Sequence, residues 1–180
     1  RYSPHILYIA DLDAISNNNV NHALFNQILT IFPKIVFWID TGMNTIKLKK
    51  KFRNYVPIIC SENSKGFDLT SNLKYNCICS LDIDKCLLGI KPIHKHERYL
   101  PKKIIIMDLL QVGSKNKFNH KNSIKFIKKD KRDYYIAGGI KNILDIKKAK
   151  KIGAKGVLVS SILHNTKLNK IFIQKEKTSL

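Results

Sequence analysis

ILYIADLDAI (6–15), IVFWIDTGMNTI (35–46) and VPIICSENS (56–64) form one block of the chain. IIIMDLLQVGS (104–114), YYIAGGIKNI (134–143) and GVLVSSILHN (156–165) form a second. The two blocks keep step. Asp11 to Gly42 is 31 residues, and so is Asp108 to Gly139; Gly42 to Ser61 is 19, and Gly139 to Ser160 is 21. Gly-Met-Asn-Thr-Ile (42–46) aligns with Gly-Ile-Lys-Asn-Ile (139–143). A repeat of this kind is expected when one supersecondary pattern is used twice in a chain.

Working outward, seven short apolar runs punctuate the sequence: Ile6–Ala10, Ile35–Ile39, Val56–Cys60, Cys77–Leu81, Ile104–Met107, Tyr134–Ala137 and Gly156–Val159. Each is continuously apolar rather than alternating. Strands read that way when both faces are buried, as in a parallel sheet covered by helices. Helical spacing lies between them. In NILDIKKAKKIGA, Ile143, Ile146, Ala149 and Ile152 recur at three-residue steps, and Gly153 stands where a helix would end. Leu24, Ile28 and Ile31 suggest a second apolar stripe. Strand and helix in alternation give an α/β protein. The repeat selects a (β/α)₈ TIM-type barrel built of two half-barrels, as a single domain over residues 1–180. The strand ending at Asp82 lies 26 residues before Asp108, whereas only ten residues precede Asp11. The seven runs are therefore expected to be strands two to eight, with the first β/α unit missing.

Composition narrows the class. With 44% apolar and 9% aromatic residues the chain is no disordered tail. It has no apolar run near the roughly 18 residues of a membrane span and no opening signal peptide, so a cytoplasmic protein is expected. The formal charge is +20, from 33 basic and 13 acidic residues. Only Arg1, Arg53, Arg98 and Arg132 are arginines, leaving 29 lysines spread along the chain. Base readout leans on Arg, so nucleic acid is the disfavoured partner. Diffuse lysine can still recruit an anionic substrate. Cys60, Cys77, Cys79 and Cys86 are expected reduced. Cys77 and Cys79 share a strand face without a second pair, and His94 and His96 sit in a lysine-rich loop, so no metal and no cofactor is expected.

In a barrel the chemistry sits at the carboxyl ends of the strands. The polar residues there are Asp11, Asp13, Asp40, Ser61, Glu62, Asp82, Asp84 and Asp108. Helix capping is the competing use of each. Gly138 and Gly139 end the seventh strand of the barrel, and Ser160 and Ser161 end the eighth. Glycine lets backbone N–H groups approach an anion, and a following helix adds its dipole. This is a phosphate-site pattern, and the repeat duplicates it at Gly42 and Ser61.

The segments YIADLDAI, DTGM, ICSEN, SLDID, MDLLQVGS, IAGGI and GVLVSSILH, in that order, resemble the histidine-biosynthesis barrel isomerases of the ProFAR isomerase family. The nearest likeness is to an offshoot described as related to that isomerase. The resemblance runs from Ile6 to about Leu168. It implies an intramolecular conversion of an aminoaldose to an aminoketose, on a substrate phosphorylated at both ends. Two aspartates of the family serve as acid and base, and Asp82 matches the one ending strand five. The other would lie in the missing unit. Asp11 and Asp108 are the further candidates for catalysis. Asp40-Thr41-Gly42 and Cys60 depart from the family's glycines, which puts the second phosphate site in doubt. The offshoot also implies an alternative role in methanopterin-linked one-carbon metabolism. A non-catalytic barrel that binds a phosphorylated ligand or a partner subunit is the reading from another class, and self-association fits either.

Overall fold

The computed structural model of the chain describes residues 4–42, 52–63, 76–89, 100–114 and 118–160; Ser161, His94 and His96 lie outside the described residues. In order, the elements are β1 (Ile6–Ala10), α1 (Leu12–Asn17), α2 (His22–Ile31), β2 (Val36–Asp40), β3 (Tyr55–Cys60) and a 3₁₀ turn at Ser61–Asn63. Then follow β4 (Ile78–Asp84), β5 (Cys86–Leu87), β6 (Lys103–Asp108), α3 (His120–Ile124), β7 (Asp133–Ala137), α4 (Ile143–Lys151) and β8 (Gly156–Leu158).

The seven expected runs all form strands, and they pair in one parallel path, β1-β2-β3-β4-β6-β7-β8. The short β5 was not anticipated. It folds back antiparallel on β4, pairing Ile83 with Leu87 and Asp84 with Cys86. Lys85 takes a φ of 55° to make that reversal.

The path curls on itself. Alternate residues of a strand face opposite sides. One set, Tyr8, Val36, Trp38, Val56, Ile58, Cys60, Ile78, Ile105, Met107, Tyr135, Ala137 and Leu158, packs into a single cluster drawn from all seven parallel strands. Trp38 of β2 meets Tyr135 of β7 edge to face, ring centroids 4.9 Å apart, although three strands separate them in the sheet. A flat sheet would hold strands four steps apart at about 19 Å. The contact requires an inward-rolled sheet with Trp38 and Tyr135 in its interior. The chain ends of the path, β1 and β8, are its edges among the described residues.

The opposite parity carries the outer layer. Phe37, Ile39 and Tyr55 pack against Phe25 and Leu29 of α2. Ile136, Ala149 and Ala154 join α4 to β7 and to the segment before β8. On α4 the expected stripe holds, with Ile146, Ala149 and Ile152 packed inward, and Gly153 takes a φ of 101° just past the helix. On α2 it does not. The buried residues are Phe25 and Leu29, while Leu24 and Ile31 are about half exposed. Phe25, Ile28 and Leu29 make a tighter i, i+3, i+4 set, and the bulk of Phe25 rotates the helix toward it. Asn21 and Asn142 cap α2 and α4, each accepting from the backbone N–H three residues on, at 3.0 Å. No disulfide joins Cys60, Cys77, Cys79 and Cys86. Among the described residues no helix is long and apolar enough to cross a membrane.

Candidate active site

Ile78, Ser80 and Asp82 share the inward face of β4, because Ile78 belongs to the interior cluster and parity carries the other two with it. Asp82 is 2% exposed. Its Oδ1 accepts from Ser80 Oγ at 2.6 Å, and its Oδ2 accepts from Ser61 Oγ and from the Glu62 backbone N–H, both at 3.3 Å. The Asp82 N–H donates in turn to Ser61 Oγ at 2.9 Å. Burial pushes the Asp82 carboxyl up to about 6; the donors from Ser80 and Glu62 oppose this, and the neighbouring Glu62 and Asp40 carboxyls reinforce it. A carboxyl tuned to that range can give and take protons near neutrality.

A second carboxyl stands two strands away. Asp40 ends the inward face of β2, two residues beyond Trp38, and is 4% exposed. Its Oδ1 accepts from the Gly42 N–H at 3.0 Å, and the Cys60 thiol at the end of β3 donates to its Oδ2 at 2.9 Å. Gly42 reaches this position with a φ of 64°, in the left-handed region open to glycine. Burial raises the Asp40 carboxyl, against the Cys60 and Gly42 donors. The Cys60 thiol is driven far up, by burial first and then by the charges of Asp82 and Asp40, so it is a protonated donor rather than a nucleophile. Tyr8, inward on β1, is also held protonated, by burial first and then by Asp40, Cys60, Asp82 and Glu62. Glu62 is raised by burial and by Asp40. Asp40, Cys60, Ser61, Glu62, Ser80 and Asp82 therefore form one polar group at the carboxyl ends of β2 to β4, with Tyr8 of β1 one layer below, level with Trp38.

The other acids are placed differently. Asp11 caps α1, its Oδ1 accepting from the Ala14 N–H at 3.0 Å. Asp13 lies in the first turn of that helix, and Asp84 is exposed at the β4–β5 reversal. Asp108 has the opposite parity to the inward Met107, and its carbonyl accepts from Gln111 and Val112 N–H groups in the turn that follows β6. Its carboxyl is buried and raised by that burial, and neither carboxyl oxygen has a hydrogen-bond partner among the described residues. Asp11 thus organises the turn after its strand through its side chain, and Asp108 through its backbone carbonyl alone. Of Asp82, Asp11 and Asp108, Asp82 alone joins the inward acid group; Asp40, Tyr8 and Ser80 complete it. Their common signal is parity, which becomes readable only once the register Ala10↔Asp40 and Cys60↔Ser80 is known.

Gly138, Gly139 and Ser160 come together because β7 and β8 are paired neighbours, with Ala137 opposite Leu158. The two glycines have φ values of 96° and 74°. A Cβ on Gly138 would meet the Asp108 carbonyl oxygen at 2.5 Å. One on Gly139 would meet the Phe118 backbone and the Gln111 side chain at 3.1 and 3.2 Å. The turn after β6 therefore lies directly on this pair, and Ser160 is exposed beside it. At the start of α4, Asn142 takes the Asp145 N–H and the Asp145 carboxylate takes the Lys141 N–H at 3.1 Å, so part of that helix terminus is already satisfied. At the repeat-related position, the Gly42 N–H faces Asp40 and the Ser61 hydroxyl faces Asp82. An anion bound there would sit against two carboxyls.

At the opposite end of the strands a cavity of about 420 Å³ is lined by Asn76, Cys77, Leu100, Pro101, Lys102, Lys103 and Asp133. It lies at the amino ends of β4, β6 and β7, the end of such barrels that serves stability. Among the described residues no three of His, Cys, Asp and Glu are arranged to hold a metal ion.

A parallel sheet rolled into a near-closed α/β barrel, with carboxyls gathered at the carboxyl ends of its strands, defines a TIM-like barrel with an acid-lined mouth. Residues 86–169 match the family model described as "Histidine biosynthesis protein". The resemblance to the histidine-biosynthesis barrels of the ProFAR isomerase type thus holds over that stretch. The match begins after Asp82, so it covers the glycine and serine strand ends and leaves the acid group outside. A solved structure of the Amycolatopsis orientalis BexX/CysO complex shares the fold, with a TM-score of 0.54 and 11% identity over 90% of this chain and 72% of that chain. At that identity the likeness concerns the fold alone. A search of the curated proteins finds no match.

Proposed function

We propose that the chain is a phosphate-binding barrel that isomerises a phosphorylated sugar derivative, converting an aminoaldose to an aminoketose. The observation that carries this reading is Asp82: an inward carboxyl at a strand's carboxyl end, held by Ser80, Ser61 and Glu62 and tuned to about 6. The match of residues 86–169 to the histidine-biosynthesis family supports it independently. In this reading Asp82 gives its proton to the ring oxygen as the sugar opens. The phosphate rests on Gly138, Gly139 and Ser160, across the mouth from β2 to β4. The seven parallel strands are the second to eighth of an eight-unit barrel of two half-barrels. The seam between β8 and β1 is the place of the remaining strand.

The test is direct. The bisphosphorylated aminoaldose of histidine biosynthesis is incubated with the protein, and formation of the aminoketose is followed. Conversion, slowed competitively by inorganic phosphate, is expected. A protein that binds this compound without converting it belongs to the ligand-binding class instead.

A further inference from the structure

The acid group holds two inward carboxyls, and the reading above uses one of them. Asp40 and Asp82 end β2 and β4, which flank β3. Strand axes two steps apart lie about 10 Å from each other, and Cys60 on the strand between them feels the charge of both. Such a gap suits the C1–C2 unit of a sugar with a carboxyl on each side. Asp40 is fixed from two directions, by the Gly42 N–H at 3.0 Å and by the Cys60 thiol at 2.9 Å. Among the described residues no basic side chain is paired with it. One inward layer below, the Trp38 indole N–H is 97% buried by residue and has no hydrogen-bond partner.

We propose that Asp40 is the catalytic base paired with Asp82, and that Cys60 is its positioning residue. The proposal rests on the isomerase reading. Asp82 protonates the ring oxygen as the C1–O bond breaks, and the nitrogen lone pair closes a C=N⁺ bond. The Asp40 carboxylate then takes the proton on C2. The C–H electron pair forms a C1=C2 bond, and the C=N pair returns to nitrogen. Asp40 next delivers its proton to C1, and the C2 hydroxyl proton passes to Asp82, leaving the ketone. Each carboxyl ends in its starting state, so no oxidant or further reactant is needed. Asp82 is fixed by three donors. Burial raises the Asp40 carboxyl, and the Cys60 and Gly42 donors favour its charged form.

The titratable groups close enough to feel the Asp40 charge are Tyr8 on β1, Tyr55 and Cys60 on β3, Glu62 after β3, and Asp82 on β4. The experiment follows wild type, Asp40→Asn, Asp40→Glu and Cys60→Ala on the bisphosphorylated aminoaldose, with substrate deuterated at C2. Asp40→Asn is expected to lower kcat by about 10²-fold or more and to abolish loss of the C2 deuterium, with KM within threefold. Asp40→Glu restores part of the rate. Cys60→Ala removes a donor that favours the charged carboxylate, so the acidic limb of kcat/KM moves to higher pH. Full activity in Asp40→Asn overturns the role of Asp40 while leaving the isomerase reading intact. If Asp40→Asn does not fold, an unmoved acidic limb in Cys60→Ala overturns it. A wild-type protein inert toward the aminoaldose overturns both readings.

Discussion

Asp82 and Gly138 show how single residues hold this mouth together, and each makes a prediction. The folded-state value of Asp82, about 6, lies above the ordinary carboxylate value of 3.8. A carboxyl raised by folding favours the folded state while protonated. Its contribution is complete below about pH 4 and is lost as pH rises through 6. The difference is at most about 3 kcal/mol. Urea denaturation from pH 4 to 8 is expected to show stability falling by a share of that size. The fall should be smaller in Asp82→Asn, whose amide does not titrate. Parallel curves for the two proteins would mean that Asp82 is not buried as described. Gly138 has a φ of 96°, and its would-be Cβ lies 2.5 Å from a backbone oxygen. Gly138→Ala combines a strained backbone with a collision that no side-chain rotation relieves. A loss of about 2–3 kcal/mol is expected, and a melting temperature unchanged within a degree would contradict it.

At the scale of elements, α2 depends on a residue outside it. The Asn54 amide, just before β3, donates to the carbonyls of Leu29 and Phe32 at 3.1 and 3.2 Å, and so closes the end of that helix. Its own carbonyl accepts from the Phe37 N–H at 2.7 Å. Asn54→Ala is expected to lower stability by about 1 kcal/mol, with amide exchange quickening first in the last turn of α2. The strands were legible in the sequence because burial on both faces leaves an unbroken apolar run. The stripe on α4 was legible because lysines mark its solvent side. On α2 the apolar residues nearly encircle the helix, so sequence spacing pointed to Leu24 and Ile31 where the structure buries Phe25 and Leu29. The β4–β5 reversal was not legible either, since Lys85 carries no glycine signal for its positive φ. Asp82 could be picked out because it directly follows an apolar run. The Asp40–Cys60 hydrogen bond spans twenty residues and depends on strand register, which no local pattern encodes.

The whole molecule divides its mouth in two. The acids lie at the ends of β1 to β4, and the glycine and serine ends lie on β7 and β8. The repeat accentuates the contrast: Asp40 stands where the second block has Ala137, and Cys60 where it has Val159. A substrate lying across this mouth would place its phosphate at β7 and β8 and its reacting carbons over β2 and β4. The surrounding excess of lysine, part of the +20 formal charge, would draw it there. Turnover is expected to depend on the acid at the end of β4. The measurement that tests it most directly is kcat/KM of Asp82→Asn against wild type on the bisphosphorylated aminoaldose. A drop of about 10²-fold or more in a folded protein is predicted, and undiminished turnover would contradict the account.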